Sequence, residues 1–114
     1  MKLELQTKYL PLGIYTIHIG KYLLGGTCVE LKDSKNNVAM RVSVFLENET
    51  ELLNNHQFFL KDYSENEGIF KALMDAKVIT CINNFSYSDT EFVSFYCCSF
   101  VDFNTLLKDN PQYE

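Results

Sequence analysis

Residues 58–79, FFLKDYSENEGIFKALMDAKVI, constrain the fold of this chain more than any other stretch. The apolar run Phe58, Phe59, Leu60 reads as extended chain. Ser64-Glu65-Asn66-Glu67 then has the form of a capping box: the Ser64 hydroxyl accepts from the Glu67 amide while the Glu67 carboxylate reaches back to Ser64. Asp62 with Glu65 offers a second register for the same helix start. In either register three carboxylates lie at the positive end of the helix dipole, which is favourable. Ile69, Phe70, Leu73 and Ala76 fall at helical spacing and form one apolar stripe. Gly68 in the first turn costs about 1 kcal/mol relative to alanine, which implies close backbone packing there. The pattern predicts a helix from Ser64 to Ala76, packed on a sheet, with a short strand from Val78 to Ile82 after it.

The rest of the chain reads mainly as strands. Leu3, Leu5 and Tyr9 alternate with Glu4, Gln6 and Lys8 ahead of a Pro11-Leu12-Gly13 turn. Tyr15, Ile17 and Ile19 share one face of a second strand, and Gly20 and Gly25-Gly26 break the chain after it. Val29 and Leu31 point in where Glu30 and Lys32 point out. Beyond a polar turn over Asp33 to Asn37, the residues Val38, Met40, Val42, Val44 and Leu46 keep a period of two. A hairpin over 27–46 follows from that alternation. Residues 47–56 are polar and read as a loop or one short helical turn, and 83–90 as a polar loop. A long strand over 91–101 is apolar on both faces, which suits a central position. Asp102 caps a short helix to Leu107, and 108–114 is a polar, frayed end.

Length supports one domain over 1–114 with its core in about 3–107. Phe and Tyr are abundant, with nine and seven copies, and both favour strands. The fold class is therefore α+β: a mainly antiparallel sheet of five or six strands, the Ser64–Ala76 helix on one face, and a short C-terminal helix.

Fifteen acidic residues against ten basic ones give a net charge of −5. That balance, with Arg41 as the one arginine, argues against phosphate-backbone recognition. A stacking platform of Tyr15, Tyr22, Phe92 and Tyr96 would lack the cations that nucleic acid requires. No apolar run is long enough for a membrane span, and Glu4 interrupts the place of a signal-peptide core, so a cytoplasmic protein is expected.

The chain is poor in catalytic arrangements. Cys28, Cys81, Cys97 and Cys98 lack zinc spacing and read as small core residues. His18 and His56 are the only imidazoles, and no nucleophile motif joins either to a cysteine. Asp62, Ser64 and Asn66 imitate the start of a calcium loop, but Glu67 and Leu73 stand where glycine and glutamate are required. Gly25-Gly26 leads into a strand, whereas a phosphate loop leads into a helix. No cofactor and no metal is expected. What remains is recognition of a protein partner, with Glu47, Glu49, Glu51, Asp62, Glu65 and Glu67 as an acidic contact surface.

The block Lys61-Asp62-Tyr63-Ser64-Glu65-Asn66-Glu67-Gly68, with Leu73, Ala76 and Val78-Ile79 after it, resembles an uncharacterised family of small domains. That family is encoded on plasmids, conjugative elements and prophages of Firmicutes and related bacteria. The resemblance covers about residues 14–101, including the strand pair over 27–46 and the aromatic strand over 91–100. It departs in the absence of glycine between Ile82 and Glu91 and in the Cys97-Cys98 pair. It implies a mobile-element accessory factor, non-enzymatic, that binds a host protein such as a nuclease of CRISPR or restriction defence. A small Cys/His enzyme and a self-assembling structural protein are the alternatives.

Overall fold

A computed structural model describes residues 1–46, 53–87, 95–111 and 113, with side chains for all of these except 83–87. The α+β class holds, but the strands form two four-stranded antiparallel sheets in place of one sheet of five or six. The first is a meander of β1 (Lys2–Leu5), β2 (Gly13–Lys21), β3 (Thr27–Lys32) and β4 (Val38–Arg41). The second holds β5 (Ser43–Val44), β6 (Gln57–Lys61), β7 (Ile79–Tyr87) and β8 (Phe95–Phe100) in the order β5-β6-β8-β7.

The division falls at Val42, the single residue between β4 and β5. Its amide donates to the Val29 carbonyl on β3 at 2.8 Å, and its carbonyl accepts from the Lys61 amide on β6 at 2.9 Å. Val42 thus belongs to both sheets, and its side chain is fully buried. The Ser43 hydroxyl accepts from the Val29 amide at 2.8 Å, which satisfies β3 where β4 leaves it. Alternation over 38–46 predicts one strand through Leu46. The consecutive burial of Val42 and Ser43 breaks that period, and the chain passes from one sheet to the other.

Inward positions of both sheets meet in one core. Tyr15, Ile17, Ile19, Val29, Leu31 and Met40 come from the first sheet, and Phe58, Leu60, Ile79, Cys98 and Phe100 from the second. The inward faces of β2 and β3 are those their alternation predicts. β8 lies between β6 and β7, the central place expected of its apolar sequence. The backbone of β7 continues to Tyr87, so 83–87 is strand where its polar composition suggests a loop. Pairing with β8 carries it through a register shift between Cys81 and Ser86.

The helical segment after β6 is split. Ser64–Asn66 form a 3-10 turn, and α1 (Ile69–Asp75) begins only after Gly68. Gly68 has φ +95°, a left-handed conformation that explains the glycine better than close packing does. Neither capping register suggested by the sequence forms, because the N-cap position falls on Gly68. Asp62 supplies the cap from before the 3-10 turn: its Oδ1 accepts from the Gly68 and Phe70 amides at 2.9 and 3.2 Å. Ile69 and Leu73 enter the core, and Phe70 stacks on Tyr96 with ring centroids 3.9 Å apart. The helix ends in a Schellman motif, in which the Val78 amide bonds the Leu73 carbonyl and the Lys77 amide bonds that of Met74.

α2 (Phe103–Asp109) is capped by Asp102, whose side chain accepts from the Thr105 amide at 3.2 Å, as its sequence predicts. The end of the chain is not frayed at Asn110 and Tyr113, which are both buried. Asn110 accepts from the Ile19 amide at 3.1 Å and donates to the Leu106 and Ile17 carbonyls at 2.9 and 3.4 Å. β1 reaches only as far as Thr16 on β2, so this side-chain amide takes up the ladder where β1 stops. The Tyr113 hydroxyl meets that of Thr27 at 2.6 Å. Polar residues at a chain end suggest fraying, but here they satisfy backbone groups that would otherwise be buried without partners.

Replacing Asp62 with alanine is expected to lower stability by about 1–2 kcal/mol, with Asp62→Asn retaining most of the cap, as read by urea denaturation. Lys77 stands at φ +62°, where glycine is unstrained. Lys77→Gly is expected to raise stability in the same assay by up to about 1 kcal/mol.

Candidate interaction site at the sheet junction

The bend at Val42 leaves a cleft on the surface where the two sheets part. Ser43 holds its floor: the Tyr22 hydroxyl lies 2.7 Å from the Ser43 hydroxyl, and the Tyr22 ring meets Phe45 edge-on at 5.3 Å. A cavity of about 340 Å³ lies between Tyr22, Arg41, Phe45, Lys61, Tyr63 and Glu65. An apolar hollow of about 270 Å³ shares Tyr22 and Phe45 with it and is completed by Leu23 and Leu24.

Those two leucines form the tip of the β2–β3 hairpin. Gly25 and Gly26, at φ +100° and +92°, close the turn, and the Tyr22 amide bonds the Gly26 carbonyl at 2.9 Å. Leu23 is fully exposed and Leu24 is 75% exposed. A turn of this kind is normally polar, so adjacent leucines at its tip form an apolar projection with no role in the core.

Charged groups rim the cleft in pairs. Lys61 donates to Glu65 at 2.6 Å and lies 4.8 Å from the centroid of the Tyr63 ring. Arg41 bonds Glu30 at 3.2 Å across the first sheet. The hydrogen bond from Lys61 holds the Glu65 carboxyl at about 2, well below the usual carboxylate range. Burial pushes the Tyr22 phenol up to about 12, against a smaller opposing effect of the bond to Ser43.

The acidic residues suggested by the sequence divide into three cases. Glu47, Glu49 and Glu51 lie outside the described residues. Asp62 is occupied as a helix cap, and burial raises its carboxyl despite the amides bonded to it. Glu65 and Glu67 reach the surface, where Glu65 pairs with Lys61 and Glu67 with Lys8 at 3.4 Å. The turn 62–67 therefore presents charges that are largely neutralised nearby. Of the four aromatics considered as a platform, Tyr15 is core, Tyr96 stacks on Phe70, Tyr22 lines the cleft, and Phe92 lies outside the described residues.

On the outer face of the first sheet His18 sits opposite Glu30, and Cys28 is the next outward residue on β3. No hydrogen bond joins His18 to Cys28 or Glu30 among the described residues; Glu30 is engaged by Arg41, and the Cys28 thiol lies by the Tyr22 hydroxyl. His56 packs beside Phe103. No group of three or more potential metal ligands is found among the described residues. Nor, among them, is any helix long and apolar enough to cross a membrane.

Sequence reasoning passed over the cleft because it is assembled from three separate segments, 22–24, 41–45 and 61–65. One signal was present: Leu23-Leu24 lies directly before two glycines, where turn chemistry calls for polar residues.

The Tyr22 phenol has a testable consequence. Its folded-state pKa of about 12 exceeds the unfolded value near 10, so its contribution to stability is complete below pH ~10 and is lost as pH rises toward 12. Wild-type protein is expected to lose melting temperature more steeply across that window than Tyr22→Phe. Parallel curves for the two would place the phenol in water.

The chain matches no family model, no curated protein and no solved structure.

Proposed function

We propose that this chain is a non-enzymatic protein-binding factor that docks through the Leu23-Leu24 tip and the cleft lined by Tyr22 and Phe45. The observation that carries this reading is an exposed apolar centre surrounded by charged side chains, with Arg41 and Lys61 on one border. That is the composition of protein interfaces, in which aromatic and aliphatic anchors sit within a polar rim. The absence of an assembled nucleophile–base pair among the described residues favours binding over the Cys/His enzyme alternative.

The finer reading takes its context from the family resemblance of residues 61–68. It is that of a cytoplasmic accessory factor of a mobile element whose partner is a nuclease or effector of host defence. Glu65 and Glu67 would then contribute peripheral contacts to a basic surface of that partner, with Leu23 and Leu24 supplying the central ones.

The test is capture of partners by the tagged chain from nuclease-treated lysate of a bacterium with intact defence systems, quantified by mass spectrometry. A defence nuclease or effector subunit is expected at near-stoichiometric yield. The double variant Leu23→Ser, Leu24→Ser should weaken its binding by about tenfold or more, and Glu65→Lys with Glu67→Lys by less. Recovery of no stoichiometric protein would sink the binding reading. Capture that is indifferent to the leucines would move the contact surface elsewhere.

A further inference from the structure

The β7–β8 ladder holds an unused chemical feature. Cys81 on β7 and Cys98 on β8 are direct cross-strand partners. The Val101 amide bonds the Val78 carbonyl at 2.9 Å, which makes 78 and 101 a hydrogen-bonded pair. Antiparallel pairs alternate, so 79/100 is non-hydrogen-bonded, 80/99 hydrogen-bonded, and 81/98 non-hydrogen-bonded. Pairing on the other side of β8 agrees. There the Phe100 amide bonds the His56 carbonyl, which places the backbone polar groups of Cys98 toward β6 and away from β7.

Non-hydrogen-bonded partners are the closer kind, with Cα atoms about 4.5 Å apart and side chains on one face. A disulfide needs a Cα separation of about 4.4–6.8 Å, so this pair meets the requirement with both strands in place. Cys97 does not compete on these terms, because it points to the opposite face of β8.

We propose that Cys81 and Cys98 form a peroxide-sensitive dithiol that closes into a disulfide between β7 and β8. The exposures of the two residues set the order of events. Cys98 has no exposed surface, whereas Cys81 is partly exposed and meets the oxidant first. Burial also pushes the Cys98 thiol pKa upward, which keeps it protonated and makes it the poorer first target of the oxidant. The Cys81 thiolate attacks one oxygen of hydrogen peroxide and breaks the O–O bond. The departing hydroxide takes up a proton as water and Cys81 is left as sulfenic acid. Cys98 sulfur then displaces the hydroxyl group, which leaves as a second water with the Cys98 proton. Two electrons from the two sulfurs reduce one peroxide to two waters. The product is a covalent ring of residues 81–98 that ties the outermost strand of the second sheet to its neighbour.

The full chain would be treated with a small excess of hydrogen peroxide under native conditions, blocked with an alkylating agent, digested and mapped by mass spectrometry. The expected product is one intramolecular crosslink joining Cys81 to Cys98, with the loss of two hydrogens and full reversal by a phosphine reductant. It should be accompanied by a rise in Tm of about 10 °C. Cys97→Ser should retain the crosslink, and Cys98→Ser should stop at a sulfenic acid on Cys81 that dimedone traps. A crosslink from Cys81 to Cys97, a disulfide between two molecules, or wild-type Cys81 passing to sulfinic acid with Cys98 untouched would each overturn the proposal. Because mapping is done on the wild-type chain, a variant that folds poorly does not remove the test.

Discussion

The two hydrogen bonds of Val42 are the constraint on which the rest of the molecule depends. One backbone unit serves β3 through its amide and β6 through its carbonyl, so the first sheet cannot end without the second beginning. Its side chain is buried between them, and Ser43 beside it supplies the acceptor that the Val29 amide would otherwise lack. A buried amide without a partner costs about 1–3 kcal/mol, so this corner has few alternative conformations. From it follow the passage of the chain between the sheets, the single shared core and the cleft on the outside of the bend.

The same corner links structure to the proposed function. Tyr22 packs against Ser43 and Phe45, so the base of the β2–β3 hairpin is anchored while its tip projects. An anchored base and an exposed Leu23-Leu24 tip is an economical way to present apolar area, because little order has to be gained on docking. The acidic turn at 62–67 plays a more structural part. Its one half-buried carboxylate, Asp62, caps α1, and its two exposed ones are paired with lysines.

Much of the fold was legible from the sequence because it rests on local rules. The inward faces of β2 and β3, the central place of β8, the helical segment after Asp62 and the Asp102 cap follow from side-chain alternation, apolar content or capping chemistry over a few residues. The errors share a cause. Alternation over 38–46 is compatible with one strand or with two strands joined by a bend, since a valine at position 42 suits either. The polar residues of 83–87 and of the C-terminal end look like loop or frayed chain because their partners are distant in sequence: β8 for the first, and Ile17, Ile19 and Thr27 for the second. The cleft was illegible for the same reason. Its residues lie on β4, β5, the end of β6, the segments after β5 and β6, and a hairpin tip, and nothing in their spacing joins them.

By itself the sequence determined the α+β class, most of the strands and the presence of a capped helix. Those properties depend on residue type and short-range periodicity, which a linear chain displays directly. Tertiary structure alone decided that there are two sheets, that Asn110 continues the ladder of β1, that Tyr22, Phe45 and Lys61 share a cleft, and that Cys81 faces Cys98. Each of these depends on which backbone groups remain unsatisfied after local structure has formed and on which distant segment reaches them. That is settled by packing around the common core, and the order of residues along the chain does not display it.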